Sequence, residues 1–105
     1  MGFSNTASDE VTEKQLVKDL QAGKTDSFEQ LANLYQKKIY ALSFNITRNA
    51  TDSQDVTQEV LLTLFRKGHT FQGKSAFSSW VYRITVNASY MKLRTIKKEP
   101  NVSVE

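Results

Sequence analysis

Residues 26–46 read DSFEQLANLYQKKIYALSFNI, and this stretch decides the fold. Phe28, Leu31, Ala32, Tyr35, Ile39, Leu42 and Ile46 recur at steps of three and four, which gathers apolar side chains on one face of an α-helix for about five turns. Asp26 followed by Glu29 gives that helix an acidic start. Downstream, Arg48-Asn49-Ala50-Thr51 breaks the pattern, and Asp52 is read as the cap of a third helix running to about Lys67, with Gly68 beyond its end. Val56, Val60, Leu61, Leu62, Leu64 and Phe65 lie around most of its circumference, which predicts a central place among the helices. Upstream, Thr12 and Gln15 have capping-box spacing, Leu16, Val17 and Leu20 make a short apolar stripe, and Gly23 ends it. Residues 1–11 are small and polar apart from Phe3 and are read as a flexible N-terminal arm. Beyond the loop His69 to Lys74, Ser75 is placed to cap a fourth helix with Phe77, Trp80, Val81, Ile84, Ala88 and Met91 facing inward, and Pro100 bars its continuation. The chain shows no strand alternation and no internal repeat. The predicted fold is all-α, a compact bundle of three long helices plus a short N-terminal helix.

At 105 residues, 39% of them hydrophobic, the chain suits one domain with one modest core and no need of staples. It has no Cys and a single His, His69, which excludes zinc fingers, thiol chemistry and redox motifs and leaves no metal site and no cofactor to predict. No window approaches the roughly 18 apolar residues of a membrane span, so no membrane insertion is expected and a cytoplasmic location is. Charge is unevenly placed. Residues 1–59 carry nine acids and six bases, whereas residues 60–98 carry eight bases and no acid. A long acid-free run suggests a surface for a polyanion.

Helical projection isolates two faces that packing does not require. On the third helix Asp55, Gln58, Glu59, Leu62 and Arg66 share an arc roughly 100° wide, away from Val56, Val60 and Leu64. An acidic and amide cluster beside an outward Leu suits protein docking. A solvated face with acids near the helix N-terminus accounts for the same residues, and geometry leaves both readings open. On the fourth helix Arg83, Asn87, Tyr90 and Arg94 form one stripe about 80° wide. Guanidinium forks for phosphates, an amide for a base edge and a ring for stacking are what nucleic-acid binding requires. Basic residues near a helix C-terminus also complement its dipole, but the acid-free run favours nucleic acid. The loop Phe71, Gln72, Gly73, Lys74, Ser75 opens onto the start of that helix and is able to receive an unstacked base or a phosphate. In the competing reading, Phe71 plugs the end of the bundle and Gly73 turns the chain. Trp80 is assigned to the core.

Four ordered blocks carry a resemblance: Ile46-Thr47-Arg48-Asn49; Asp52-Ser53-Gln54-Asp55-Val56-Thr57-Gln58-Glu59-Val60; Phe71-Gln72-Gly73-Lys74-Ser75-Ala76-Phe77; and Trp80-Val81-Tyr82-Arg83-Ile84-Thr85-Val86-Asn87. Together they resemble region 2 of bacterial RNA polymerase sigma factors, nearest to the extracytoplasmic-function (ECF) type, over roughly residues 12–96. The resemblance implies a transcription initiation factor domain at 12–98, and not an enzyme. It implies that Asp55, Gln58 and Glu59, with Leu62 beside them, contact core RNA polymerase at the clamp coiled coil of the largest subunit. It implies that the loop Phe71 to Ser75 captures a base flipped from the single-stranded non-template strand of the promoter −10 element, and that Arg83, Asn87, Tyr90 and Arg94 belong to the −10 recognition helix. An anti-sigma factor is a further partner of such domains. The implied mechanism is capture: a pocket that binds only an extruded base shifts the duplex toward melting.

Some positions depart from the family. Met91 stands where many ECF members have an acid, and Thr95 where they have a second base. Val81 follows Trp80, so the paired Trp of housekeeping sigma factors is absent, as in ECF members. Nothing resembles region 4, so residues 99–105 are expected to be a tail or the start of a linker to an absent region 4, the chain being an excised or truncated member. The alternative is a helical module that docks on polymerase or an anti-sigma factor without reading DNA sequence. An enzyme acting on nucleic acid finds no paired carboxylates in the basic half.

Overall fold

The computed structural model describes residues 7–24 and 26–98, with side chains described for 13–24 and 26–95. Among the described residues four helices follow one another: α1 (Ala7–Gln21), α2 (Asp26–Thr47), α3 (Ala50–Lys67) and α4 (Phe77–Lys98), with a 3-10 turn at Gly68–Thr70. The all-α bundle is as predicted; several boundaries and faces are not. Helix α1 starts at Ala7, so Thr12 is interior to it and Gln15 donates to Asp19 Oδ1 (3.1 Å) rather than closing a capping box. The predicted arm therefore overlaps this helix at residues 7–11, and both its remainder and the predicted tail lie outside the described residues. Helix α3 is capped by Asn49, whose Oδ1 accepts from the Asp52 backbone N–H at 2.8 Å; Asp52 sits in the first turn. An amide caps as well as a carboxylate, and with Arg48 at φ 57 the chain turns in two residues between α2 and α3. Ser75 does not cap α4: the Ala76 carbonyl accepts the first helical bonds, from Ser79 and Trp80.

The core is built from Leu16, Val17 and Leu20 of α1, Leu31, Tyr35 and Ile39 of α2, Val56, Val60 and Leu64 of α3, and Phe77 and Val81 of α4, closed at one end by Phe71. Helix α3 buries one face only. Leu62 is exposed as the projection expects, but Phe65, 48% exposed, corrects the expectation that apolar side chains are buried around most of the helix. Met91, expected inside, is 58% exposed. Its place along the inner face of α4 is taken by Thr85 and Ser89, which are fully buried. Their hydroxyls donate to the carbonyls one turn back, Val81 and Thr85, so neither hydroxyl is stranded. On α2 the inward row runs in steps of four, Ser27, Leu31, Tyr35, Ile39, Ser43 and Thr47, leaving Phe28, Ala32, Leu42 and Ile46 half-buried. Hydrophobicity alone misplaced that face because its ends are hydroxyls. Thr47 and Ser53 pair across the α2–α3 turn at 2.9 Å.

Helix α3 ends at Lys67 with Gly68 as its C-cap, as predicted, but at φ −57 and not in the left-handed conformation. A Cβ there would stand 2.4 Å from Leu20 Cδ2, so this glycine permits the close approach of α1 to the end of α3. Gly68→Ala is expected to lower stability, because overpacking costs about 1–3 kcal/mol while Ala regains only ~1 kcal/mol of backbone preference. Chemical denaturation showing equal or greater stability would contradict this packing account.

Candidate nucleic-acid interface

Arg83, Asn87, Tyr90 and Arg94 are all exposed along α4. Helical geometry keeps them on one stripe, and the burial of Phe77, Val81, Thr85 and Ser89 on the opposite side fixes that stripe outward. Tyr90 is half exposed, free to offer a ring face. Asn87 stands at one edge: with Met91, Lys92 and Thr95 it lines a groove between α3 and α4 whose far wall includes Asp55 and Glu59. The two faces separated by projection thus share a border.

The loop before α4 is held from below. Phe71 is buried, stacked edge-on to Phe77 at 5.3 Å and tilted against Trp80 at 5.2 Å. Gln21 Nε2 donates to its carbonyl at 2.7 Å. Phe71 is therefore the plug of the bundle end, about nine-tenths buried. Trp80, half-buried, packs over that plug rather than deep in the core. Gln72, Gly73, Lys74 and Ser75 are exposed above it. Gly73, at φ 76 with open space around its Cβ position, takes a turn that other residues adopt only with strain. A cavity of about 600 Å³ opens between this loop and α1. Gly73, Ser75, Ala76 and Ser78 line one wall and Glu13, Lys14, Lys18 and Gln21 the other, above Val17, Phe71 and Phe77. Gln72 and Lys74 do not line it.

On α3, Asp55, Gln58, Glu59 and Leu62 are exposed, as predicted, and come together along a groove of about 450 Å³. Its other lining residues are Phe28, Leu61 and Phe65, with the Phe28 and Phe65 rings edge-to-face at 5.1 Å. Sequence reasoning had assigned both rings to the core, so the apolar part of this surface was missed. Asp55 also does something not foreseen: its Oδ2 receives Lys92 Nζ of α4 at 3.2 Å, joining the acidic face to the basic helix. Among the described residues no cluster of His, Asp and Glu could hold a metal ion, and no helix is long and apolar enough to cross a membrane.

Comparison with known proteins decides the family. The model of Sigma-70 region 2 matches residues 31–99. This chain belongs to the Sigma-70 region 2 family. Its relatives include the RNA polymerase sigma-H factor of Pseudomonas aeruginosa, 38% identical over 73% of this chain and 40% of that protein. The ECF RNA polymerase sigma factor SigW of Bacillus subtilis is 30% identical over 84% of the chain and 46% of its own length. The ECF sigma-E factor of Escherichia coli K12 is 35% identical over 78% of the chain and 42% of its own. The chain spans less than half the length of these relatives. Among solved structures, an engineered region 2 of sigmaE in complex with GTAAAA superposes with a TM-score of 0.73 at 31% identity, covering 80% of this chain and 87% of that one. The ECF-type resemblance is thereby shown, and the matched residues include α3, the loop and α4.

The Asp55–Lys92 pair is largely solvent-exposed, so it should be worth at most about 1 kcal/mol. A double-mutant cycle with Asp55→Asn and Lys92→Gln, read by denaturation, is expected to give a coupling in that range that shrinks with salt. A coupling of several kcal/mol would make the pair a structural strut.

Proposed function

We propose that this chain is the part of a sigma factor that docks on core RNA polymerase and reads the promoter −10 element, helping to melt it by capturing a flipped non-template base. The observation that carries the reading is the outward stripe Arg83, Asn87, Tyr90 and Arg94, on the helix that begins where the loop cavity closes. Arginine forks supply sequence-independent phosphate binding, Tyr90 stacks on an unstacked base, and the Asn87 amide pairs with a base edge. The solved complex of a related region 2 with GTAAAA supports a nucleic-acid ligand for the same fold. The cavity bounded by Gly73, Ser75 and Ser78 is of a size that holds a nucleotide base. Binding there exclusively to an extruded base would offset the few kcal/mol of unstacking. Phe71 contributes by fixing the loop from beneath, and Gln72 and Lys74 by presenting donors above it.

The polymerase contact is assigned to Asp55, Gln58, Glu59 and Leu62. Leu62 beside the Phe28 and Phe65 rings gives an apolar centre with an acidic and amide rim, the arrangement of a protein interface. The partner segment is taken to be the clamp coiled coil of the largest subunit; an anti-sigma factor would compete for the same surface. Residues 12–98 form the functional domain, and the work is done in the bacterial cytoplasm.

Two measurements test this reading. Asn87→Ala is expected to reduce the preference for single-stranded GTAAAA over a scrambled strand about tenfold, while Arg83→Ala weakens binding to both. Affinity indifferent to base identity in the unmodified chain would leave only the docking module without sequence readout. Separately, Glu59→Lys is expected to abolish co-purification with core RNA polymerase while leaving thermal stability intact and oligonucleotide binding undiminished. Loss of all three together would make the α3 face structural. Phe71→Ala is not a clean probe, since removing a buried ring costs about 3–5 kcal/mol of stability.

A further inference from the structure

The cavity beside the loop has a second wall for which the basic stripe gives no account. Lys14 and Lys18 of α1 border it, and both are exposed. One helical turn apart, they hold their Cβ atoms about 6 Å from each other, comparable to the separation of successive phosphates along a strand. Neither makes an ion pair with a described residue. Glu13 lines the same cavity, but its Oε1 accepts the Tyr35 hydroxyl at 2.7 Å, and Asp19 accepts from Gln15 and Ser27 and pairs with Lys24. Lys18 lies in the last turn of α1, where a cation complements the dipole, but Lys14 lies too far from that end for the same account. Between these cations and the loop, the floor of Val17, Phe71 and Phe77 is apolar, and Ser75, Ser78 and Gln21 offer polar groups at its margin. An apolar floor with hydroxyl and amide margins and two cations on one side is the chemistry of a nucleotide, the base going down and the phosphates to the lysines.

We propose that α1 forms the second wall of the DNA site: Lys14 and Lys18 bind successive backbone phosphates of the single strand whose base enters the cavity. This rests on the reading of the chain as a −10-binding domain. It adds to that reading a helix on the other side of the loop from α4, so that the strand is clamped across the loop. Gln21 acts as a positioning residue, tying the α1 wall to the loop through the Phe71 carbonyl.

The test is the salt dependence of binding of the full chain to labelled single-stranded GTAAAA, for the unmodified protein and for Lys14→Gln, Lys18→Gln and Lys37→Gln. For a single strand, each lost phosphate contact lowers the slope of log K against log salt by about 0.7. Lys14→Gln and Lys18→Gln are each expected to lower it by that amount and to weaken binding at low salt. The preference for GTAAAA over a scrambled strand should stay as it is. Lys37→Gln carries the same charge change on α2, away from the cavity, and should leave the slope unaltered. An unchanged slope in both α1 variants, or an equal change in all three, overturns the proposal. If Arg83→Ala weakens binding in the same assay while the α1 variants do not, the second wall fails and the α4 reading stands. Weakening by the α1 variants with Arg83→Ala and Asn87→Ala silent would instead overturn the α4 stripe. Absence of any binding at low salt overturns both.

Discussion

The aromatic group at one end of the bundle is the constraint on which the remaining geometry depends. Tyr35 is completely buried, meets Phe77 edge-on at 5.8 Å and donates its hydroxyl to Glu13, so one side chain of α2 ties down α1 and α4 together. Phe71 leans on Phe77 and Trp80 from the loop. These rings contribute burial and edge-to-face contacts, and the hydroxyl bond satisfies the one polar atom of Tyr35. Their consequence is positional: the loop above them can stay polar, glycine-containing and exposed while its base remains fixed. A binding loop on a rigid foundation loses little entropy when it closes on a ligand.

Helix existence was legible in the sequence because apolar residues at three- and four-residue steps leave few alternatives, as in α2 and α4. Helix faces were less so. Ser43, Thr85 and Ser89 are buried, and hydroxyls carry no hydrophobic signal, though their bonds to the preceding turn let Thr85 and Ser89 pass as small core residues. Among the described residues, Ser43 has no partner for its buried Oγ. Once Thr85 and Ser89 turn inward on α4, Met91 must turn outward; on α3 the inward row that includes Ser53 and Thr57 does the same to Phe65, so two residues assigned to the core stand at the surface. Gly68 illustrates a second limit: the sequence marks a glycine at a helix end, but only the approach of Leu20 shows that it is there for want of space and not for a left-handed turn.

The candidate sites show the same division. Projection on single helices placed Asp55, Gln58, Glu59 and Leu62 on one exposed face, and Arg83, Asn87, Tyr90 and Arg94 on another, since each set lies within one element. What lies between elements was out of reach. The groove shared by Asn87 and Glu59, the Phe28–Phe65 rings beside Leu62, the pairing of Asp55 with Lys92, and the lysines of α1 facing the loop all depend on how helices meet. Lys14 and Lys18 carried one usable signal, a repeat of the same charge at one-turn spacing, but without a neighbour such spacing describes a solvated face equally well.

The shared border between the two faces has a physical consequence for a domain that would bind a protein and a nucleic acid at once. Asp55 and Glu59 place negative charge within the groove that Asn87 and Lys92 edge, so a polyanion following α4 meets repulsion on that side and attraction along Arg83 and Arg94. Such a gradient sets the side of α4 on which a strand can run without requiring any base contact. The pairing of Asp55 with Lys92 reduces the gradient only partly, because both groups remain in water where screening is strong. A basic partner covering Asp55 and Glu59 would remove the repulsion from the same groove, so that docking on one face and strand binding on the other favour each other through charge alone, with no change of fold.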